Sequence, residues 1–387
     1  MVSVISVAWH VKYTIQLCLF DSSQSSWDDQ IPLENHSFQS LLRLGKNESF
    51  GACLLIKEDN SLLYEWLAYH FIVLPLRYLL IGTDDGNTQD PSEVLERWKK
   101  ANTGLQYWIL DSSNFTVKPR YKVLNHTQGN DIKISGHHAF VNRQRSFITA
   151  CSKFMKERGM HWVTFIDSDE FIGLNRLPAE DKRSDSESTS DVVAYAMRDA
   201  LPQVGSKFTI LQTIQKLASF RNLTPCYTMP RLLYGALENR TCAEAEPVQS
   251  LAKVTVNYNE MSTLRFNQHA RKGDFAFSKF GKVMMDFSGL TDEMIAAPPR
   301  NIHRPYKPVC GPGVVDFSQA VFHINHYIGS WDRYSSRRDI RRNRAEWEHR
   351  AFLTAGTSCE NAIHEWFPRF LDIMGLQRAK FLLGVDL

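Results

Sequence analysis

The chain has 387 residues, of which 43% are hydrophobic and 22% are charged. This composition is ordinary for a folded globular protein, and the length suits one large domain or two small ones. The formal net charge of +3 is small for this size, so the sequence gives no reason to expect general nucleic-acid binding.

Strands and helices alternate from residue 52 onward. Short apolar runs at 52–56, 77–82 and 105–110 predict three strands, and apolar residues at helical spacing over 62–74 predict a helix between the first two. Pro91 is suited to the first turn of a second helix. This alternation predicts a mostly parallel, layered α/β sheet.

A further helix and strand precede an acidic motif. Apolar residues over 147–159 mark one face of a helix, and the β-forming run 162–166 ends in Asp167, Ser168 and Asp169. Because side chains two apart on a strand point the same way, both carboxylates can converge on one divalent ion, which prefers carboxylate and phosphate oxygens. The alternative is a solvated turn, since Asp-x-Asp is short and often occurs by chance.

Two neighbouring features bear on this motif. Glu170 follows it directly, but strand alternation would turn this side chain away from the aspartate pair, so a structural role is expected. Right-handed crossovers would place Asp84 and Asp85, which follow the second strand, at the same sheet edge as Asp167. Open α/β sheets bind ligands at the carboxyl ends of their strands, so two acidic loops there favour a nucleotide site.

The remaining segments are less regular. Residues 1–50 are expected to be an N-terminal extension that is partly strand, and 346–387 to be a C-terminal helical segment. The polar stretch within 176–191 predicts a flexible loop, which is either a lid over the site or an uninvolved insertion. His323 and His326 lie three residues apart, and either could complete a metal shell, although a lone histidine is more often structural.

A run of arginines follows these histidines. Most of such a run is usually a solvated helix face, but one or two guanidinium groups could contact a diphosphate or an acidic acceptor. The run comprises Arg333, Arg337, Arg338, Arg341, Arg342 and Arg344.

The seven cysteines form no Cys-x-x-Cys pair, which argues against a zinc module. Cys53 and Cys151 lie in apolar segments and are expected to be buried thiols. Cys226 and Cys242 flank a loop-like stretch and are candidates for a disulfide in an oxidising compartment.

The sequence Asn-x-Ser/Thr occurs six times, which favours a chain that enters the secretory lumen. Polar residues interrupt the apolar parts of 1–20, and no stretch reaches the ~20 apolar residues needed to span a bilayer. Membrane association is therefore expected only through an anchor missing from this sequence, and a cytoplasmic location is the alternative. The six acceptor positions are Asn35, Asn47, Asn114, Asn125, Asn222 and Asn239.

Four blocks of the sequence have an order and a spacing that are far more specific than the Asp-x-Asp motif alone. They are ACLLIKEDNSLLYEWLAYH (52–70), LIGTDDGNTQDP (80–91), FVNRQRSFITACSKFMKERGMHWVTFIDSDEFI (140–172) and INHYIGSWDRYSSRRD (324–339). Together they resemble the GT-A glycosyltransferases of family 92 and related family 2-like enzymes, over roughly residues 50 to 340. The resemblance implies an α/β, GT-A (nucleotide-diphospho-sugar transferase) fold over 51–345, with a mostly parallel mixed sheet flanked by helices.

The resemblance also implies an activity. Such enzymes are hexosyltransferases that move a sugar from a nucleotide-sugar donor to a glycan acceptor with the help of Mn²⁺ (or Mg²⁺). Family membership suggests a UDP-sugar donor, galactose as the sugar, inversion at the anomeric carbon and a place in the Golgi or elsewhere in the secretory pathway. No nucleic-acid partner is expected.

The matching blocks assign roles to individual residues. The family's metal ligands correspond to Asp167 and Asp169, and His326 fits the C-terminal histidine that often joins them, with His323 as the fallback. Lys282 and His303 are expected on the acceptor side. The residues expected at the nucleotide-sugar are Lys57, Glu65, Asp84, Asp85 and Ser168, while Trp66 and His70 also match the first block.

The catalytic base is not placed by the sequence. Glu238, Glu244 and Glu246 are weak candidates in the acceptor half. The stretch 208–231 departs from the family pattern, which leaves the donor and acceptor open. It also motivates an alternative, a catalytically weak or inactive glycan- or nucleotide-binding protein of the same fold. A metal-dependent phosphohydrolase that uses the acidic loops is a third hypothesis.

Overall fold

The structure is a computed structural model, and its described part consists of two β-sheets and the helices that pack on them. The predicted flexible loop at 176–191 lies outside the described residues, and so does the predicted N-terminal extension, apart from a few residues before the first strand. The described residues are 44–45, 48–115, 131–175, 207–219, 224–236, 261–271, 274, 278, 280–297, 299, 301–310, 317, 320–337, 342–355, 358–359 and 362–385.

The first sheet contains four parallel strands in the order β3-β2-β1-β4, followed by two strands that run antiparallel to their neighbours, β9 and β6. The strands are β1 (Phe50–Ile56), β2 (Leu76–Thr83), β3 (Gln106–Asp111), β4 (Trp162–Phe165), β6 (Cys226–Met229) and β9 (Lys282–Asp286). The helices between the parallel strands are α1 (Asn60–Val73), α2 (Ser92–Lys100), α3 (Ser112–Phe115) and α4 (Asp131–Glu157).

The central strand β1 is buried on both faces, which explains its continuous apolar sequence. Alternate residues such as Phe50 and Leu54 pack in one core cluster with Trp66 of α1. Cys53 points to the other face and packs with Phe147 of α4. The sheet therefore lies between two helical layers, which is the arrangement expected of an α/β fold.

The second sheet has the order β11-β8-β7-β10-β5, and β5 pairs antiparallel with β10. Because only residues 166–169 separate β4 from β5, the chain passes from one sheet to the other through the acidic motif. The strands are β5 (Glu170–Leu174), β7 (Arg231–Tyr234), β8 (Gln268–His269), β10 (Phe322–Tyr327) and β11 (Ser358–Cys359).

The later helices complete the same compact unit, since α11 and α12 pack on α1 and β11 joins the second sheet. The predicted C-terminal helical segment at 346–387 is thus built into this unit. The helices are α5 (Thr209–Ser219), α6 (Ser262–Arg265), α7 (Asp292–Ala296), α8 (Lys307–Cys310), α9 (Trp331–Ser336), α10 (Arg344–Thr354), α11 (Trp366–Met374) and α12 (Leu376–Leu383), and 3₁₀ turns lie at Phe287–Gly289 and Ala362–Glu365.

The structure confirms a mixed α/β fold with a mostly parallel sheet flanked by helices. Predicted elements between 52 and 166 lie within two residues of the observed ones, except that the helix expected over 147–159 already begins at Asp131. The arginine run spans two helices rather than one, with Arg337 and Arg342 outside both. None of the described helices is both long and apolar enough to cross a bilayer.

Both cysteine predictions are wrong. Cys53 of β1 forms a disulfide with Cys151 of α4, so neither is a free buried thiol. Cys226 of β6 pairs with Cys310 of α8 and not with Cys242, which lies outside the described residues. Each bridge therefore links a strand of the first sheet to a helix far away in the sequence.

We expect the first of these disulfides to stabilise the fold strongly. It joins residues 98 apart in the sequence. The chain-entropy argument assigns a loop of this size about 4.7 kcal/mol, and removal of a native disulfide typically costs about 2–5 kcal/mol. The double variant Cys53→Ala/Cys151→Ala should therefore lower the free energy of unfolding by about 3–4 kcal/mol in urea denaturation.

Non-reducing peptide mapping provides the control, because it should recover Cys53 and Cys151 in one cross-linked pair of peptides. Alkylation of both thiols in unfolded but unreduced protein would contradict the assignment.

Candidate active site

The acidic motif borders a cleft at the point where the strand order of the first sheet reverses. From β1 the chain moves to β2 and β3 on one side, and it returns to β4 on the other side. The carboxyl ends of β1 and β4 diverge at such a point, and open α/β sheets bind ligands there. The cleft has a volume of about 290 Å³, which is close to the lower end for small-molecule sites, roughly 300 Å³.

Three strand ends supply the floor of this cleft. Lys57 and Asp59 follow β1, Asp84 follows β2, and Asp167 and Ser168 follow β4. The prediction that the Asp84 and Asp167 loops share one edge of the sheet is therefore confirmed. The walls come from α4, from the strand ends of β7 and β9, and from the arginine-rich segment after α9.

Helix α1 fixes the backbone of the acidic loop by hydrogen bonds. Trp66 Nε1 donates to the carbonyl oxygen of Asp167 at 3.1 Å, and the Tyr69 hydroxyl donates to that of Ile172 at 2.6 Å. His70 Nδ1 lies 2.8 Å from the Trp66 carbonyl, which can only accept, so Nε2 is the acceptor for the Ile172 amide. Burial lowers the pKa of His70 to about 3, which keeps this ring neutral.

Glu65 does not line the cleft, contrary to the sequence-based expectation. Its buried carboxylate accepts hydrogen bonds from the amides of Ser262 and Thr263, both at 2.7 Å, and from the Thr263 hydroxyl at 2.6 Å. These bonds hold the start of α6. The role of Glu65 is therefore to anchor a helix rather than to contact a nucleotide.

A lysine from β9 holds the first side of the acidic motif. Lys282 Nζ lies 2.7 Å from Asp167 Oδ2 and 3.3 Å from Glu170 Oε2. Glu170 is fully buried, also contacts Arg231 at 3.5 Å, and accepts the Asp167 amide at 2.9 Å. The expected structural role of Glu170 is confirmed, and Lys282 is a partner of the acids as well as a lining residue.

An arginine holds the second side of the motif. Arg337 forms an ion pair through Nε with Asp59 and a second one through Nη1 with Asp169 at 2.8 Å. Its third nitrogen, Nη2, donates to the Ser168 hydroxyl at 3.1 Å, and that hydroxyl donates to Asp59 at 2.7 Å. Arg342 Nη2 lies 3.8 Å from Asp169 Oδ2.

These ion pairs set the protonation of the two aspartates. Burial by itself would raise the pKa of Asp169, but Arg337 and other neighbouring cations hold it well below its ordinary value. Burial would likewise raise the pKa of Asp167, and the ion pair with Lys282 brings it below the ordinary value. Both carboxylates are therefore ionised at neutral pH, and each has a cationic partner.

The other predicted residues fall into two groups. His303 and Lys57 line the cleft, and Asp84 does so while paired with Arg143 of α4 at 2.6 Å. Asp85 is exposed and does not line the cleft, and His323 bonds to Asn325 instead of facing the aspartates. Glu238, Glu244 and Glu246 lie outside the described residues.

The predicted metal ligands come together only in part. His326 Nε2 is 3.8 Å from Asp169 Oδ2, but Asp167 turns to Lys282 instead. Within the described ranges, no three His, Cys, Asp or Glu side chains are arranged to hold a metal ion. In this arrangement the donor set does not fit Mn²⁺ or Mg²⁺, because a cationic side chain already pairs with one carboxylate oxygen of each aspartate.

Sequence reasoning missed several residues that build the site. Asp59 lies three residues beyond the end of β1 and carries no motif of its own, and neither Arg143 nor Arg231 belongs to a run of basic residues that would draw attention. Arg337 and Arg342 did carry a signal, since the arginine run was expected to offer one or two guanidinium groups to an anion. Their pairing with acids about 170 residues earlier had no signal in the sequence.

Comparison with known proteins adds no relative. Neither the models of protein families nor the curated proteins yield a match for this chain. The resemblance to glycosyltransferase family 92 therefore rests on the four sequence blocks.

The hydrogen bond from Tyr69 predicts a loss of stability on removal of one hydroxyl group. Tyr69→Phe leaves the ring in place but removes the bond to Ile172, so the free energy of unfolding in urea should fall by about 1 kcal/mol. Tyr64→Phe on the same helix is the matched control, because Tyr64 is only half-buried, and it should change stability by less than about 0.5 kcal/mol. Equal effects of both changes would refute the anchoring role.

The low pKa of Asp169 predicts a pH-dependent contribution to stability. Because this pKa is lower in the folded chain than in the unfolded one, the ion pairs stabilise fully above about pH 5 and lose their effect as the pH falls below about 4. Asp169→Asn should cost about 3 kcal/mol at pH 7, and the difference from wild type should shrink towards pH 3.

Urea denaturation at pH 7, 5 and 3 measures this difference directly. The exposed Asp332 provides the control, since Asp332→Asn should have a small and constant effect. A pH-independent gap between wild type and Asp169→Asn would contradict the assigned ion pairs.

Proposed function

We propose that this chain is a glycosyltransferase of the GT-A type that moves a sugar from a nucleotide-sugar donor to a glycan acceptor. The observation that carries the proposal is a strongly basic cleft at the switch point of an α/β sheet, bordered by the motif that the family 92 resemblance assigns to the donor. Among the described residues, six basic side chains and three carboxylates line it. The basic side chains are Lys57, Arg231, Lys282, Arg337, Arg342 and Arg350.

The excess of positive charge suits the chemistry of this reaction. Transfer of a sugar releases a nucleoside diphosphate, and negative charge grows on the leaving oxygen as the bond to the anomeric carbon breaks. Preorganised cations at that oxygen lower the barrier more effectively than water does, because they need no reorganisation during the reaction. The hydroxyl of the acceptor forms the new bond from the opposite face, which gives inversion, and its proton passes to solvent water as the nucleoside diphosphate departs.

His303 is the cleft residue best suited to meet the acceptor hydroxyl. Its Nδ1 lies 3.2 Å from the carbonyl oxygen of Gly281, which can only accept, so Nε2 is left without a proton. Burial, followed by the nearby Lys282 and Arg231, lowers the pKa of His303 to about 3. The neutral ring can therefore accept a hydrogen bond from the hydroxyl and orient it for attack.

The proposal also includes a donor and a compartment. The resemblance suggests a UDP-sugar as the donor, with galactose as the first sugar to test. The two disulfides and the Asn-x-Ser/Thr sites support residence in the Golgi or another part of the secretory pathway, where disulfides persist. Asn114, which lies within the described residues, is exposed and so is accessible for glycosylation.

A donor panel with a mass-spectrometric readout tests the function. Full-length protein is incubated with UDP-, GDP- and CMP-sugars and a mixed glycan acceptor, with and without Mn²⁺, and one donor should give a product heavier by one sugar. Lys57→Ala should raise the KM for that donor about tenfold, because a charge-assisted contact to phosphate is lost. Lys99→Ala is the control, since Lys99 lies exposed on α2 outside the cleft.

The panel also separates the competing functions. Binding of UDP without transfer from any donor would favour a binding protein of the same fold and would refute the transferase. Release of inorganic phosphate without sugar transfer would instead favour the phosphohydrolase.

A further inference from the structure

The acids of the expected metal motif are neutralised by the protein itself. Asp169 contacts Arg337 at 2.8 Å, and Asp167 contacts Lys282 at 2.7 Å. Arg337 also pairs with Asp59, so one guanidinium group joins the acids that follow β1 and β4. Only about a tenth of the side-chain surface of Arg337 and Lys282 is exposed, so solvent screens these pairs weakly.

A divalent ion would meet two obstacles at this position. It would have to displace Arg337 from Asp169 or Lys282 from Asp167, and each displaced cation would then be buried without its partner. It would also stand beside both of these positive charges in a poorly screened site, which raises its energy further. The two aspartates could hold a metal if they stood alone, but in this structure Lys282 and Arg337 already neutralise them.

An arginine can supply the positive charge that a metal ion would otherwise supply to a diphosphate. Its planar guanidinium group donates two parallel hydrogen bonds to phosphate oxygens, and its positive charge persists in a buried site. Arg342 is placed for this role, because it lines the cleft and a fifth of its side chain is exposed. It stacks on the Tyr334 ring at 4.6 Å, which fixes the direction of the side chain.

We propose that Arg342 and Lys282 bind the diphosphate of the donor directly, while Arg337 takes the place of a divalent cation between Asp59 and Asp169. This inference rests on the proposed function only for the identity of the diphosphate as part of a sugar donor. A metal-free diphosphate site is the underlying claim, and it can be measured without any transfer reaction.

The charges around Arg342 support this assignment. Its Nη2 is 3.8 Å from Asp169, beyond ordinary hydrogen-bond distance, whereas Arg337 contacts that carboxylate directly. Burial, followed by the neighbouring Arg337, lowers the pKa of Arg342 to about 10, so the group remains charged at neutral pH. Two arginines therefore compete for one carboxylate, and an incoming phosphate would relieve the repulsion between them.

Calorimetric titration of the full-length protein tests the inference, with UDP and inorganic pyrophosphate as probes. One series contains EDTA and a parallel series contains Mn²⁺. Both probes should bind in EDTA, and Mn²⁺ should change the Kd for UDP by less than about threefold. Arg342→Gln should raise the Kd in EDTA by about tenfold or more, through loss of a charge-assisted contact.

Two further variants make the result specific. Arg342→Lys keeps the charge but loses the fork of two donors, so its Kd should lie between wild type and Arg342→Gln. Arg344→Gln is the matched control, because Arg344 is two residues away, exposed, and paired with Glu348 outside the cleft. Its Kd should equal that of wild type, and circular dichroism spectra should show that all variants are folded.

The outcomes separate this inference from the proposed function. Binding that requires Mn²⁺, or no binding in either series, or equal binding by Arg342→Gln, overturns the metal-free site whatever the transfer assay shows. Sugar transfer that requires Mn²⁺ would leave the function standing and refute this inference. Pyrophosphate binding in EDTA without transfer from any donor would support the site and refute the function.

Discussion

The structure depends on one buried arginine that bridges two parts of the sheet. Arg337 joins Asp59, which follows β1, to Asp169, which follows β4, at the point where the strand order reverses. Each of these carboxylates is almost fully buried and would be strongly unfavourable without a cation. The ion pairs thus tie the segment after β1 to the segment after β4 at the switch point, and they fix the floor of the cleft at the same time.

Neutral hydrogen bonds perform a complementary task behind these charges. Trp66, Tyr69 and His70 on α1 each bond to a backbone group of the acidic loop or of β5. Because they hold the backbone, the aspartate side chains stay available for cations on the cleft side. Glu65 extends the same principle to α6, where its carboxylate satisfies amides at the start of the helix. One helix therefore positions two segments that are remote in the sequence.

Local patterns predicted the elements of the first part of the fold. The strands and helices between 52 and 166 follow from apolar periodicity, and the shared edge of Asp84 and Asp167 follows from right-handed crossovers. The partners of the acids did not follow, because Lys282 reaches Asp167 only when β9 inserts antiparallel beside β4. No local pattern encodes such a pairing, and the same reason explains why cysteine spacing did not reveal the bridge from Cys226 to Cys310.

The charges of the cleft also explain why an Asp-x-Asp motif does not define a metal site by itself. A divalent cation and a guanidinium group satisfy the same carboxylates, and the choice between them depends on which cations the rest of the fold delivers. In this protein β9 delivers Lys282 and the segment after α9 delivers Arg337, both within 3 Å of the motif. The aspartates then act as anchors for a basic surface, and under the proposed function this surface meets the diphosphate of the donor.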